Sequence, residues 1–316
     1  RFRTNTVSNT AFRGFGGPQG MLGVERMMDE IAFAVGRDPL DVRLDNLYGG
    51  DGRDLTPYHQ TVEDYVADQL IEELAETSNY RARRAAIEAE NLGDGIIKRG
   101  IALTPVKFGI SFTAKHLNQA GALIHIFTDG TIQLNHGGTE MGQGLFVKVA
   151  QVVAHEFQVD IDQIQIMSTS TEKVPNTSAT AASSGSALNG MAAQQAARTI
   201  KDRLIAFLSE RENVPPETIV FENNEIRAGD QSFSFKEVVS AAYMARISLS
   251  ATGYYRTPKI HYDRDLHRGR PFFYFAYGAA VSEVEIDTLT GENRVVRTDI
   301  LHDVGKSLTP ELALEQ

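Results

Sequence analysis

Three runs of very small residues each stand immediately before a helical pattern, and the residues scattered among them are of kinds that can grip a ligand. The first, NTAFRGFGGPQG at 9–20, sets Arg13 and Phe15 among four glycines and is closed by Pro18. The second, HGGTEMGQG at 136–144, runs into an apolar pattern of Leu145, Val149, Val152, Val153 and Phe157. The third, NTSATAASSG at 176–185, enters a long helical segment that ends near Arg211. Glycine admits positive φ and has no Cβ to hold a ligand away, and a helix N-terminus presents free N–H groups suited to anionic or polar cofactor groups. A fourth run, FGISFT at 108–113, puts two phenylalanines beside a hydroxyl. The plain alternatives are tight turns for the glycine runs, a low-complexity linker for the third run, and core aromatics at a strand end for the fourth. A linker would not continue directly into a well-patterned helix, and three such entries in one chain point to one shared ligand.

The familiar nucleotide fingerprints are absent. Gly14 and Gly16 begin a GxGxxG pattern whose third position falls on Gln19, and no GxxxxGK[ST] occurs in the chain. With no cysteine there is no disulfide, no thiolate zinc site and no iron–sulfur cluster ligated by this chain. The eight histidines show neither HxH nor HExxH spacing, so a histidine metal site is not expected. A metal used here must be held by some other molecule.

The positioning elements read as follows. Pro18 to Val35 has apolar residues at helical spacing (Met21, Leu22, Val24, Met27, Met28, Ile31, Val35), with Gly36 as its stop. Asp38-Pro39 caps a short helix through Leu47; Thr61 with Asp64 reads as a capping-box variant opening a helix to about Glu76, and Tyr80 to Asn91 continues in helical character. Beyond Gly93 come a strand at 97–107 and a hairpin of 119–128 with 131–136 across Asp129-Gly130. A strand at 164–167, a hairpin around Asn223-Asn224, and a capping box of Ser234 with Glu237 opening a helix to Met244 follow. The end is strand-rich, at 248–255, 272–287 and 294–303. Glu283 and Glu285 alternate with Val284 and Ile286, which reads as the solvated face of a half-buried strand. Segregated helices and strands indicate an α+β fold with mixed sheets and helices packed on them.

The length and the 42% hydrophobic content allow two cores better than one. A net charge of −10 argues against nucleic-acid and anionic-membrane partners. No apolar run approaches the ~20 residues that span a bilayer, so the chain reads as soluble and cytoplasmic. It begins at Arg1, directly in motif-like sequence, which suggests a piece of something longer.

Taken together these segments resemble the molybdenum hydroxylases. The resemblance is carried by TNTVSNTAFRGFGGPQ at 4–19, KFGISFTAKHLNQAG at 107–121, HGGTEMGQG at 136–144, VPNTSATAAS at 174–183, TGYYRTP at 252–258 and SEVEIDTLTG at 282–291, and it covers essentially the whole chain. It implies two molybdopterin-binding subdomains, residues 1–90 as the C-terminal part of the first and 91–316 as the N-terminal part of the second. It implies a molybdopterin-held molybdenum and hydroxylation of an electron-poor heterocycle with water-derived oxygen. Cofactor-binding residues carried over are Arg13, Met141, Gly142, Gln143, Thr180, Ala181, Ala182 and Ser183. Of these, Arg13 and the backbone of Ala182 are expected beside the metal without being thiolate ligands. Phe15 and Phe112 match the two rings that hold a flat purine, one facing and one edge-on, and Thr113 the neighbouring hydroxyl.

Gly17, Phe112 and Thr113 favour a purine such as hypoxanthine or xanthine over an aldehyde, since aldehyde oxidases differ there; an aldehyde, another N-heterocycle and a non-catalytic cofactor-binding role stay open. The family's catalytic glutamate lies in a GEPP-like motif that this sequence does not contain. The remaining segments of the molybdenum subunit, and FAD and 2Fe-2S clusters in other domains or subunits, are therefore expected partners, in a dimer of heteromers.

Overall fold

The computed structural model describes residues 5–7, 12–49, 52–174 and 176–308. The opening run is therefore described from Phe12 onward, and Asn9 to Ala11 lie outside the described residues. The chain starts with four helices, α1 (Gly17–Val35), α2 (Pro39–Asp45), α3 (Ala67–Thr77) and α4 (Tyr80–Asn91), and the long strand β1 (Ile97–Ile110). It continues through β2 (Gln119–Ile126), β3 (Ile132–His136), α5 (Leu145–Phe157), β4 (Ile164–Ile166) and α6 (Gly185–Glu212). Next come β5 (Ile219–Glu222), β6 (Glu225–Ala228), β7 (Gln231–Ser234), α7 (Phe235–Met244), β8 (Ser250–Arg256) and β9 (His261–Asp263). It ends in β10 (Arg268–Arg270), β11 (Tyr274–Asp287) and β12 (Asn293–His302). The sheets are mixed and carry helices, as the α+β reading expects; helices precede strands in the first part of the chain, but α5 crosses between the parallel strands β3 and β4, so the segregation expected from the sequence is incomplete. Two compact units form, one from the described parts of Arg1–Ile110 and Asp263–Gly305, the other from those of Ser111–Tyr262 and Lys306–Gln316. No helix among the described residues is long and apolar enough to cross a membrane.

In the first unit, α1 stops where expected. Gly36 is left-handed at φ 68°, and the Arg37 N–H donates to the Ala32 carbonyl at 3.0 Å. The apolar face predicted for α1 is nonetheless largely open, since Ala32 is the buried residue of this helix while Leu22, Ile31 and Val35 are exposed. Polar contacts bind α1 to α2: buried Arg43 donates to Glu25 Oε2 at 2.6 Å and to Asp29 Oδ1 at 2.8 Å. Asp38 caps α2 by accepting the Leu40 N–H at 2.7 Å, and the helix ends at Asp45, short of Leu47. Thr61 and Asp64 do not open a helix. Thr61 pairs with Leu55 in an isolated antiparallel bridge, closed by a turn in which the Thr56 N–H donates to the Gln60 carbonyl, and α3 begins only at Ala67.

The sheet of this unit has the order β1-β11-β12, antiparallel throughout, from Ile97 opposite Asp287 to Ile110 opposite Tyr274. Ile101, Leu103, Ala279 and Val281 pack on Ile71, Leu74, Tyr80 and Ile87 of α3 and α4. Glu283 lies on this same covered side, which corrects the solvated reading of the Glu283/Glu285 pair. Its carboxylate, 4% exposed, takes Arg83 of α4 at 2.6 Å and Arg99 of β1, while Arg83 also holds Asp299 at 3.0 Å. Burial pushes the Glu283 carboxyl up, but the two arginines more than reverse this and hold it below the usual range. Alternation separates two faces of a strand; the helices that cover one of them come from elsewhere in the chain.

The second unit has a sheet of order β4-β3-β2-β8, in which β4 runs parallel to β3 and the other pairs are antiparallel. The Asp129-Gly130 turn forms as expected, with the Gly130 N–H donating to the Phe127 carbonyl at 2.9 Å. Helices α5 and α6 cover one face. Ala192, Ala193, Ala196 and Ala197 of α6 are fully buried, and a Cβ on Gly253 of β8 would overlap the Ala192 carbonyl and lie 2.6 Å from the Ala196 nitrogen. Helix backbone thus meets strand backbone, which only small residues permit. A meander β5-β6-β7 completes the unit. Its first turn uses Asn223 and Asn224, both left-handed at φ 49° and 66°. The short strand β7 was not expected, whereas the Ser234/Glu237 capping box opening α7 is fully formed.

Candidate cofactor and substrate site

The second glycine run leaves the sheet at His136, the last residue of β3. The His136 side chain is buried, edge-on to Phe146 with ring centroids 5.1 Å apart. Its Nδ1 accepts the Gly138 N–H at 3.1 Å, which places the ring proton on Nε2, and Nε2 has no partner among the described residues. Burial lowers the imidazole pKa to about 4, against a smaller upward pull from Glu140, so the ring is neutral at physiological pH. Gly137 and Gly138 are glycines for lack of room. A Cβ on Gly137 would overlap the Thr177 side chain, and one on Gly138 would lie 2.6 Å from Leu145 and 2.8 Å from the Asn189 amide.

Beyond these glycines the run folds onto itself. Gln143 Oε1 accepts the Met141 N–H at 2.5 Å, and Gln143 Nε2 donates to the Thr139 carbonyl at 2.8 Å. Glu140 accepts the N–H groups of Gly142, Gly144 and Phe146 at 2.9, 3.1 and 3.0 Å. Burial pushes the Glu140 carboxyl up, but the N–H groups of Phe146, Gly142, Gly144 and Met141 outweigh it and hold it below the usual carboxylate range. Met141 and Gly142 are exposed, Met141 by 66%. The sequence reading assigned the Gln143 amide and the backbone donors of this run to a ligand; in this structure the Gln143 amide and the N–H groups of Met141, Gly142 and Gly144 are bonded within the run.

The third run joins the second directly, because Thr180 Oγ1 accepts the Thr139 N–H at 2.9 Å. Thr169 Oγ1 adds a bond to the Gly138 carbonyl at 2.9 Å, and Gly185 packs against Thr180 and Leu145. Ala182 and Ser183 are both left-handed, at φ 54° and 56°, just before α6 begins at Gly185. Consecutive left-handed non-glycine residues are costly and persist where their surroundings over-determine them. No side chain caps the N-terminus of α6. The second and third runs are thereby joined at Thr139 and Thr180.

Phe112 and Thr113 also belong to the second unit. Asn118 clasps the Phe112 backbone on both sides, accepting its N–H at 2.8 Å and donating to its carbonyl at 2.8 Å. Phe112 is half-buried and Thr113 exposed, so FGISFT is strand only through Ile110 and loop thereafter. Arg13 and Phe15 belong to the first unit, where both are exposed on a turn: the Phe15 N–H donates to the Phe12 carbonyl at 2.7 Å and Phe15 is left-handed at φ 48°. A Cβ on Gly17 would lie 2.6 Å from the Phe108 ring, which explains the glycine at that position. Among the described residues no group of three or more metal-ligating side chains occurs. The sequence reading missed two residues that shape the second run, His136 and Glu140. The one signal that pointed to them was their presence within the run itself.

Comparison with known proteins agrees with the resemblance. The molybdopterin cofactor-binding domain is matched at residues 73–316, and a second domain of the same description at residues 1–47. The chain is 46% identical over 314 residues to xanthine dehydrogenase/oxidase of Felis catus and 44% identical over 317 residues to xanthine dehydrogenase of Dictyostelium discoideum. Each alignment takes in 99% of this chain and 22% of the relative, so the chain spans about a fifth of the length of these proteins. In fold it is similar to quinoline 2-oxidoreductase from Pseudomonas putida 86, with a TM-score of 0.79 at 22% identity over 96% of this chain and 39% of that one. It is likewise similar to CO dehydrogenase from Oligotropha carboxidovorans, with a TM-score of 0.81 at 20% identity over 96% of this chain and 38% of that one. With the family matched over most of its length, the chain belongs to the molybdopterin cofactor-binding domain family.

Proposed function

We propose that this chain is part of the molybdopterin-binding catalytic portion of a xanthine dehydrogenase, an enzyme that hydroxylates hypoxanthine and xanthine to urate in the cytoplasm. The observation that carries the reading is the junction of the two runs at Thr139 and Thr180, in a chain 42–46% identical to xanthine dehydrogenases. The chain's own groups suit a polar ring cofactor. His136 Nε2, Thr177 Oγ1 and Asn189 Oδ1 are buried beside Gly137 and Gly138 of the second run without partners among the described residues. Amides, hydroxyls and an imidazole N–H are the partners that pterin nitrogens, carbonyl and amino groups take.

In this reading Met141 to Gln143 and Thr180 to Ser183 hold the cofactor, with Arg13 and Ala182 beside its metal. The bound molybdenum cofactor supplies the redox chemistry of hydroxylation. Phe15 and Phe112 hold the flat purine by ring contacts that leave its hydrogen-bonding edges free, and Thr113 offers a hydroxyl to a ring substituent. The general base is a glutamate of another segment, since no GEPP motif occurs in this sequence. Residues 1–90 and 91–316 are then parts of two cofactor-binding domains. The partners are the rest of the molybdenum subunit and the FAD and 2Fe-2S domains or subunits, in a dimer of heteromers.

The test is Phe112→Ala in the complete enzyme, assayed on a panel of purines and aldehydes. Loss of a stacking or edge contact and its buried area lowers kcat/KM for xanthine by roughly 10- to 100-fold. Unchanged purine kinetics, or a preference for aldehydes in the unaltered enzyme, refutes the assignment.

A further inference from the structure

Glu140 stands at the start of α5 in the place an external anion would take. A helix N-terminus attracts negative charge through its free N–H groups, and Gly144, the residue before α5, offers no side chain to cap it. The Glu140 carboxylate fills that role from four residues back. Oε1 accepts from Gly142 and Gly144, and Oε2 accepts from Phe146 in the first turn of the helix. The buried ring of His136 feels the carboxylate as a small upward pull, and Lys148 of α5 donates to the Gln143 carbonyl at 3.0 Å. From this clasp the bonding continues outward. Gln143 ties Met141 to Thr139, and the Thr139 N–H donates to Thr180, so the shape of 139–146 is passed to the third run.

We propose that Glu140 is a positioning residue of the cofactor site, a resident anion that fixes the second run in its receiving shape and closes the α5 N-terminus to outside anions. The N–H groups of Met141, Gly142 and Gly144 are then engaged within the run and not by the cofactor. This rests on the reading that the runs at 136–144 and 176–185 receive molybdopterin; Glu140 itself need not touch it.

The experiment uses the full-length protein and measures molybdenum by elemental analysis and pterin by fluorescence after oxidation, per polypeptide, following dialysis. Glu140→Ala is expected to retain about tenfold less of both, because three charge-assisted bonds are lost together. Glutamine has one acceptor oxygen and turns an NH2 toward N–H donors, so Glu140→Gln falls nearly as far. Formate added during cofactor loading restores Glu140→Ala, since its carboxylate fits the same N–H groups, and formamide of the same size does not. Full retention by Glu140→Ala, higher retention than wild type, or equal rescue by formamide overturns the proposal. If Glu140→Ala does not fold, Glu140→Asp and Glu140→Gln decide: the aspartate variant must retain more cofactor than the glutamine variant, and the reverse order refutes the role. A wild-type protein without pterin would instead overturn the cofactor reading on which the inference rests.

Discussion

His136 connects the stability of the second unit to pH, and replacing it by asparagine isolates the effect. The asparagine Oδ1 stands where Nδ1 does and can still accept the Gly138 N–H, but it does not titrate. In the folded unit burial depresses the imidazole pKa from 6.5 to about 4. Between these values the unfolded chain binds a proton that the folded one refuses, so stability rises with pH across that window and is constant above it. With about 1.4 kcal/mol per pKa step, the wild type loses roughly 3 kcal/mol between pH 6.5 and pH 4 that His136→Asn does not lose. The assay is amide hydrogen exchange of the peptides covering β3 and α5, compared between the two proteins at each pH. The comparison cancels the intrinsic pH dependence of exchange and the titration of Glu140, which both proteins share. Equal protection differences from pH 4 to pH 7, or a wild type that gains protection on acidification, would refute the buried neutral imidazole.

Two further outcomes follow from packing and charge. Gly253→Ala places a Cβ against the α6 backbone at Ala192 and Ala196, which cannot rotate aside as a side chain would. A loss of about 3 kcal/mol lowers the melting temperature of a unit this size by roughly 6–12 °C, and a change within about one degree would contradict the contact. Arg83→Met leaves the buried Glu283 with Arg99 alone and removes the tie to Asp299; it should destabilise by about 3 kcal/mol at pH 7. Arg81→Met breaks an exposed pair with Asp41 and should cost less than about 1 kcal/mol. Chemical denaturation that finds the two variants equal would count against the buried lock.

Local chemistry alone sufficed for several elements. The capping box of Ser234 and Glu237, the left-handed asparagine pair at 223–224, the Gly36 stop and the Asp129-Gly130 turn each involve groups a few residues apart, whose partners the sequence itself names. The three small-residue runs were legible for the same reason, as was the family. Where a residue's partner lies far along the chain, local pattern was silent or misleading. Thr61 looked like a cap and became half of a bridge. Glu283 looked solvated and lies buried, because arginines at 83 and 99 and two helices cover that side of β11. The apolar stripe of α1 formed a helix but not a buried face. Even within the second run, residue types suggested donors waiting for a ligand. The fold instead turns Glu140 and Gln143 back onto those donors: with Gly142 and Gly144 left-handed, a carboxylate five residues before the helix reaches an N–H of its first turn. Spacing along the chain thus determined which groups could serve, and three-dimensional coverage decided which of them are buried, paired or left to bind.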